Sequence, residues 1–322
     1  MSDQPSPEPR RAVVVDDDRM LDLVDVEEVA QWLGGDAAWS EGPLYLPAED
    51  AVIWSDIPGN RILRWDAVTG EVSTHRTDVE FTNGRTLDLE GRVVACSHGR
   101  RGLERTEPDG RTHLLLGDRD GTRFNSPNDV VVKADGTIWF TDPAYGIVHP
   151  EEGHPGEREY GDHHVFRYDP ATAEVSAVVL DVEEPNGLAF SPDERLLYVS
   201  DTAAAAGLGH FLAVNHHIRV YDVVHGRFVK NGRVFAEVSP GFPDGFRVDV
   251  HGNVWTSSAD SVQVFAPDGV RLGAVPVPQV VGNLCFGGPD RSTVFVAATS
   301  SLYRITPRTR GCSPTDLAGG TR

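Results

Sequence analysis

Residues Ser126–Gly146 read SPNDVVVKADGTIWFTDPAYG, and this stretch decides the fold. It begins with Asn128 before an apolar run, turns at the Asp135-Gly136 pair, and returns through a second apolar run to Asp142. An Asp-Gly pair between two apolar runs is a strong signal for a β-hairpin. Because a tight hairpin places its two outer ends side by side, we expect Asn128 and Asp142 at the same edge of a sheet.

The same unit recurs six times along the chain. Each copy begins at a polar residue, its head, and runs through an apolar stretch, a turn and a second apolar stretch to another polar residue. The heads are Glu41, Asn83, Asn128, Asn186, Asp244 and Asn283, and the ends are Asp56, His98, Asp142, Asp201, Ser258 and Thr299. The first five copies continue with two more strand-like runs. Six units of four antiparallel strands predict an all-β, six-bladed β-propeller.

The two ends of the chain fall outside this repeat. The sixth copy supplies only three strands, so we expect a strand from the segment before Glu41 to complete it and close the ring, which leaves few exposed strand edges. We therefore assign residues 21–310 to the propeller. Residues 1–20, which are rich in proline and charge, and residues 311–322 are expected to form disordered tails.

Composition excludes several classes of protein. The 322 residues carry a net charge of −20, which argues against a nucleic-acid partner because such binding needs a basic surface. No window approaches the roughly 18 apolar residues of a membrane span, and the run Ala12–Val15 is too short for a signal peptide. Three scattered cysteines imply no disulfide framework. We expect a cytoplasmic protein without membrane partners, and the sequence indicates no oligomeric state.

The six heads have a chemistry in common. They open the innermost strands, which line the central channel of a propeller, so their side chains should form a ring of oxygen donors at its mouth. Two carboxylates, Glu41 and Asp244, among four amides suit a hard divalent cation such as Ca²⁺. The heads include no His or Cys, which counts against a dedicated zinc site. A purely structural role also stays open, because Asn-Gly and Asp-Gly are common turn dipeptides.

Two long insertions follow the second strand of a repeat. They are Pro143–His163 in the third copy and Thr202–His216 in the fourth, and both rise from the face that carries the heads. Loops of this length on a rigid scaffold are commonly functional walls or lids. Substrate specificity is therefore expected to depend on these two segments.

The ends of the second strands supply further candidates for binding a substrate. His98, Asp142 and Asp201 should stand near the rim of the pocket, and Tyr145 and Arg123 are placed to reach substrate hydroxyl groups. A second interpretation of the aspartates is equally open. Their carboxylates can instead cap loops by accepting backbone hydrogen bonds.

Several strings around the heads resemble the gluconolactonase/senescence-marker-protein (regucalcin) family, over about residues 23–307. These strings are Ser40-Glu41-Gly42-Pro43, Phe124-Asn125-Ser126-Pro127-Asn128-Asp129, Phe140-Thr141-Asp142-Pro143, Pro185-Asn186-Gly187, Pro243-Asp244-Gly245 and Asn283-Leu284-Cys285-Phe286-Gly287-Gly288. The resemblance implies a six-bladed propeller lactonase with one catalytic divalent metal ion. Ca²⁺ is the favoured ion, and Zn²⁺, Mg²⁺ and Mn²⁺ are alternatives.

The resemblance also implies roles for individual residues. Glu41, Asn186 and Asp244 match the metal ligands of the family, and Asp244 matches its general acid/base. Asn128 matches an amide that either completes the metal shell or reaches the ion through water and substrate. The family's substrate-binding Arg and Asn match Arg123 and Asn125 in one register, and Asn128 in another.

Three functions are compatible with this sequence. The first is metal-dependent hydrolysis of a sugar lactone such as gluconolactone. The second is a phosphotriesterase-like hydrolase that uses the same metal site. The third is a propeller that binds calcium or a partner without catalysis. No Gly-x-Ser-x-Gly elbow or Walker loop is present in the sequence, which argues against a serine hydrolase or a nucleotide-dependent enzyme.

Overall fold

The computed structural model describes residues 12–203 and 215–318, whose main strands form six antiparallel blades. Blade 1 contains Ser40–Leu46, Ala51–Asp56, Arg61–Asp66 and Val72–Thr77. Blade 2 contains Thr82–Leu87, Val93–Ser97, Gly102–Thr106 and Thr112–Leu116. Blade 3 contains Val130–Val132, Ile138–Asp142, His164–Asp169 and Glu174–Val179. Blade 4 contains Pro185–Phe190, Leu196–Asp201, His217–Val224 and Phe228–Glu237. Blade 5 contains Phe246–Val248, Val254–Thr256, Ser261–Phe265 and Arg271–Pro276. Blade 6 contains Val281–Gly287, Thr293–Ala298, Ser301–Ile305 and Gln31–Gly34.

The ring is closed by a strand from the N-terminal side of the repeat. Gln31–Gly34 pairs antiparallel with Ser301–Ile305, and Trp32 lies opposite Tyr303. The first strands of neighbouring blades contact one another around the whole ring, including that of blade 6 against that of blade 1. The predicted six-bladed propeller and its closing strand are therefore confirmed.

Both ends of the described chain are more structured than the sequence suggested. Val14–Val15 adds a fifth strand to blade 5 by pairing with Arg271–Pro276, and the short helix Met20–Leu23 buries Met20 completely in the core. Apolar side chains within this charged segment provide the reason, because they cover the outer edge of blade 5. At the other end, Gly311 bridges to Asp249 and the helix Pro314–Ala318 follows. Residues 1–11 and 319–322 lie outside the described residues.

The core lies between adjacent blades. The second strands Ala51–Asp56 and Ile138–Asp142 are buried along their whole length, because each blade is covered by a neighbour on both faces. Trp54, Trp139 and Trp255 occupy these strands in alternate blades and are fully buried. Aromatic side chains of this size dominate the energetics of a core. The result is a rigid frame around the channel.

Two smaller elements lie outside the blades. Asp118–Arg119 and Thr122–Arg123 form a hairpin between blades 2 and 3, and the helix Tyr145–Val148 opens the first insertion. The second insertion, Thr202–His216, is described only at its two ends. Among the described residues, no helix is long and apolar enough to cross a membrane.

Candidate active site

Four of the six heads stand at irregularities in their strands. The pairing register between the first and second strands shifts beside each of them: Glu41, Asn83, Asn186 and Asn283. Asn128 and Asp244 instead stand just before the first strands of blades 3 and 5. A bulge redirects a side chain out of the regular pleat. It thus frees a head from the strict alternation of its strand.

The glycines that follow the heads have a role that the turn interpretation did not predict. They let the head of the next blade approach closely. A Cβ atom on Gly84 would lie 2.5 Å from the carbonyl oxygen of Asn128, and one on Gly187 would lie 2.4 Å from that of Asp244. Both glycine N–H groups donate to these oxygens, at 2.9 and 3.2 Å. These head-glycine pairs therefore join neighbouring blades.

Hydroxyl groups on the second strands form further links between blades. Thr141 Oγ1 donates to the carbonyl oxygen of Asn186 at 2.6 Å, and Ser200 Oγ donates to that of Asp244 at 2.8 Å. Ser55 Oγ makes a similar bond, at 3.2 Å, to the carbonyl oxygen of Asn83. Each hydroxyl precedes the last residue of its strand. We call Ser55, Thr141 and Ser200 the hydroxyl girdle.

The head side chains contact one another at the mouth. Asn83 Nδ2 donates to Asn128 Oδ1, and Asn128 Nδ2 donates to Asn186 Oδ1, both at 2.7 Å. On the other side of the ring, Asn283 Nδ2 donates to Glu41 Oε2 at 3.1 Å. These hydrogen bonds involve five of the six heads, and the charge of Glu41 contributes to the raised pKa of the sixth, Asp244.

The two carboxylates of the ring are held in an environment that disfavours negative charge. Burial, with contributions from the charges of Asp129 and Glu152, raises the pKa of Glu41 to about 7. Burial and then the charge of Glu41 raise the pKa of Asp244 well above its usual range. Desolvation and like charges both act in this direction. A bound cation would relieve both effects.

A layer of buried charges lies close to the ring, and sequence reasoning missed it. Arg247 Nη1 pairs with Asp129 Oδ2 at 3.1 Å, and Arg85 Nη1 donates to the carbonyl oxygen of Gly42 at 2.7 Å. Burial lowers the pKa of Arg85 to about 10. Arg85 and Arg247 stand on first strands shortly after a head, and Asp129 follows Asn128 just before the first strand of blade 3. The strings Asn83-Gly84-Arg85 and Asn128-Asp129 were the available signal, but a strand pattern does not reveal a buried charge.

His98, a predicted substrate contact, lies against the ring. It is fully buried, and its Nε2 lies 3.2 Å from Asn128 Oδ1 and 3.4 Å from Asn83 Nδ2. Its Nδ1 lies 3.0 Å from the carbonyl oxygen of Glu152. Because a carbonyl only accepts, Nδ1 carries a proton. In the neutral ring Nε2 is then an acceptor, and Asn83 Nδ2 is its donor in the ring. Burial lowers the pKa of His98, which favours this neutral form.

Tyr145 also reaches the site, from the start of the first insertion. Its hydroxyl group forms a hydrogen bond with Thr202 Oγ1 at 2.7 Å. Burial raises the pKa of Tyr145, and the charges of Glu184 and Asp244 add to the shift. The phenol therefore stays protonated. Thr202 Oγ1 donates its own hydrogen to the carbonyl oxygen of Glu184 at 3.2 Å, so the Tyr145 hydroxyl group donates to Thr202.

Asn125 and Asp142, which the sequence analysis proposed as substrate contacts, are committed to a loop. Asp142 accepts hydrogen bonds from the backbone of Asn125 and Ser126, at 2.8 and 2.9 Å, and from the Tyr160 hydroxyl group. Asn125 Nδ2 donates to backbone oxygens of Asp142 and Asp162. Both side chains are fully buried. They hold the segment that precedes Asn128, as the loop-capping interpretation predicted for Asp142.

The structure also places Asp201 and Arg123 away from the ring. Asp201 accepts backbone hydrogen bonds from Glu183, Glu184 and Ala203, so it too caps a loop. Arg123 is exposed on the small hairpin, and its backbone N–H donates to Glu159 Oε2 at 2.8 Å. The structure therefore supports a structural role for Asp201 and gives Arg123 no contact with the heads.

The chemistry of the ring fits a hard divalent cation. Glu41, Asp244, Asn128 and Asn186 offer carboxylate and amide oxygens, the ligand types that Ca²⁺ accepts. Asn83 Oδ1 is buried and has no hydrogen-bond partner among the described residues, so an acceptor in this ring remains free. No group of three or more His, Cys, Asp or Glu side chains with metal-binding geometry occurs in the described part of the chain. A divalent cation bound at this ring would therefore be held by two carboxylates together with amide oxygens.

Together, the fold and the ring define a six-bladed propeller with an oxygen-lined mouth and an insertion beside it. The SMP-30/Gluconolactonase/LRE-like region matches residues 39–300, and the chain belongs to this family. The resemblance inferred from the heads is thereby confirmed.

Curated relatives and solved structures extend the match over almost the whole chain. A gluconolactonase of Zymomonas mobilis is 29% identical over 309 residues, which cover 91% of this chain and 85% of that protein. The structure of a gluconolactonase from Xanthomonas campestris is 35% identical with a TM-score of 0.84, covering 95% of this chain and 99% of the other. Regucalcin of Bos taurus is 26% identical over 275 residues, covering 80% and 81% of the two chains.

Proposed function

We propose that this protein hydrolyses sugar lactones, such as gluconolactone, with the aid of one divalent metal ion. Family membership and relatives that are themselves named gluconolactonases support a lactonase-type hydrolase. The observation that carries the metal-dependent part is the pair of carboxylates, Glu41 and Asp244, held by burial at raised pKa in a ring of amide oxygens. Ca²⁺ is the favoured ion, because its ligand preferences match that donor set.

The ring residues would bind the metal ion, and one of them would also transfer a proton. Glu41, Asn128, Asn186 and Asp244 would hold the ion, which when bound supplies Lewis acidity toward the lactone carbonyl. Asp244 accepts the proton of the attacking water and returns it to the ring oxygen as the acyl C–O bond breaks. Water is consumed and a hydroxy acid is released, so atoms and protons balance.

Two further side chains orient the substrate. In the neutral ring, His98 Nε2 would accept a hydrogen bond from a substrate hydroxyl group in place of the 3.4 Å contact with Asn83 Nδ2. The Tyr145 phenol donates its hydrogen to Thr202, so its oxygen is a second acceptor. Acceptors of fixed orientation favour a substrate with several hydroxyl groups, which are hydrogen-bond donors.

Hydrolysis of D-glucono-1,5-lactone in a pH-stat tests this proposal. We expect the Asp244→Asn variant to lose roughly 10²–10⁴-fold in kcat, the range of a general acid/base, and chelated wild type to lose activity that Ca²⁺ restores. Asp18→Asn is the control, because that carboxylate is exposed and has no role in the site. Full activity of the Asp244→Asn variant, or of the chelated protein, would contradict the mechanism.

Two further measurements test the alternative functions that the sequence left open. A phosphotriester offered as a second substrate tests a phosphotriesterase-like activity. Calorimetry with Ca²⁺ tests binding without catalysis. Tight Ca²⁺ binding without turnover of either substrate would favour a non-catalytic propeller.

A further inference from the structure

The first insertion, residues 143–163, packs against blade 2. His154 Nε2 lies 3.1 Å from Glu80 Oε2, and its ring meets Phe81 edge to face. Further along, Arg101 Nη2 donates to the carbonyl oxygen of Glu157 at 2.9 Å. These contacts tie the middle of the insertion to the loop that enters blade 2 and to the turn between the second and third strands of that blade. The segment is therefore a fixed wall of the mouth.

Glu152 stands at the point where this wall meets the ring. Its carbonyl oxygen accepts the hydrogen bond from His98 Nδ1, whose ring touches Asn83 and Asn128 on the other side. Its neighbour Gly153 packs so tightly that a Cβ atom would lie 2.1 Å from the carbonyl oxygen of Gly146. One imidazole ring thus separates the Glu152 backbone from the heads.

The Glu152 side chain adds a carboxylate next to the site. It is half-buried, and none of the hydrogen bonds or ion pairs among the described residues involves its carboxylate. Its negative charge contributes to the raised pKa of both Glu41 and Asp244. The adjacent Glu151 differs, since 62% of its side chain is exposed and it lies 4.0 Å from His149.

We propose that Glu152 is a specificity-determining residue that accepts hydrogen bonds from the hydroxyl groups of neutral polyhydroxy lactones and rejects lactones with an anionic substituent. This inference rests on the proposed lactonase function. An ionised carboxylate only accepts hydrogen bonds, and hydroxyl groups are the donors that a sugar lactone offers. The same charge repels phosphate or sulfonate groups, and specificity commonly depends on such a repulsive element.

The test compares D-glucono-1,5-lactone with its 6-phosphate. We expect Glu152→Gln to lower the ratio of kcat/KM for the neutral over the anionic lactone by roughly tenfold or more, on the order of one close charge interaction. Glu151→Gln, the matched control, should leave that ratio within about twofold, since exposed charges contribute little. In wild type, added salt should narrow the discrimination, because screening weakens repulsion. A folded Glu152→Gln protein with an unchanged ratio overturns the proposal.

Two further measurements keep this test decisive. Glu152→Asp retains the charge and should keep rejecting the phosphate even if Glu152→Gln fails to fold. Calorimetry with the non-hydrolysable glucono-δ-lactam measures recognition without turnover, and we expect weaker binding to Glu152→Gln. Lactam binding that depends on Glu152 without lactone turnover would contradict the proposed function and support this inference. Absence of both binding and turnover would contradict both.

Discussion

Asp142 shows how a single buried carboxylate organises the approach to the site. It collects two backbone N–H groups from the segment that precedes Asn128, and the Tyr160 hydroxyl group besides. Burial nevertheless raises the pKa of Asp142 to about 7. In the unfolded chain the same group titrates near its ordinary value of 3.8. Folding therefore favours the protonated form of this side chain.

This shift predicts a pH dependence of stability. Between about pH 4 and pH 7 the folded state binds more protons at Asp142 than the unfolded state does, so the free energy of unfolding falls as pH rises, by at most about 1.4 kcal/mol per pH unit. Asp142→Asn should remove the Asp142 contribution and so make the slope shallower, while Glu41, whose pKa is also raised, keeps its own contribution. Urea unfolding of chelated wild type and variant at several pH values measures it. Parallel stability curves for the two proteins would contradict the assignment.

At the scale of single residues, the sequence predicted the ring better than its surroundings. Glu41, Asn186 and Asp244 were identifiable because each begins a repeated unit in the same register. Asp142 and Asp201 end their strands in an equally regular register. The sequence pattern is the same, however, whether such an aspartate caps a loop or faces a ligand, so it could not distinguish the two roles. Glu152 lies in an irregular insertion, where no period relates it to a strand.

At the scale of elements, the hydroxyl girdle couples the second strands of blades 1, 3 and 4 to the next blade. Thr141 accepts a hydrogen bond from the backbone N–H of Asp129 at 3.0 Å and donates to the carbonyl oxygen of Asn186 at 2.6 Å. One threonine thus fixes the backbone of heads in blades 3 and 4. The second strand contributes no metal ligand itself, yet it sets where the ligands stand.

Thr141→Val tests this coupling, because valine keeps the shape and removes the hydroxyl group. We expect a loss of about 1–3 kcal/mol in the free energy of unfolding, since two buried backbone groups lose a partner, together with weaker Ca²⁺ binding in calorimetry. Ser97→Ala is the control, as Ser97 Oγ donates to the carbonyl oxygen of Glu80 outside the ring. Equal losses of Ca²⁺ affinity in both variants would exclude a specific role for Thr141.

The strands themselves were readily predictable, and the connections were not. Alternating and continuous apolar runs identify strands in a stacked blade, and Asp-Gly turns fix their register. The glycines after the heads carried a misleading signal, because close approach between blades and a tight turn both require glycine. Only the relative position of two blades distinguishes these roles.

At the scale of the whole molecule, the closing strand Gln31–Gly34 holds the first and last blades together. We expect a chain that begins at residue 36 to lose on the order of 10 °C or more in Tm, because blade 6 then has an unpaired edge. A chain that begins at residue 19 should lose less, since Val14–Val15 only adds to a blade that is already four-stranded. Calorimetry measures the Tm of both proteins. Similar Tm values for the two would contradict a stabilising role for the closing strand.

The hydrogen bond between Glu41 and Asn283 joins residues 242 positions apart in the chain. During synthesis on the ribosome, Glu41 emerges with the first blade, and its partner Asn283 becomes available only when the sixth blade has been translated. An oxygen ring built this way is incomplete in every nascent intermediate. The enzyme should therefore become active only when the whole chain has been made. Chains that terminate before blade 6 should be inactive, although they contain most of the propeller sequence.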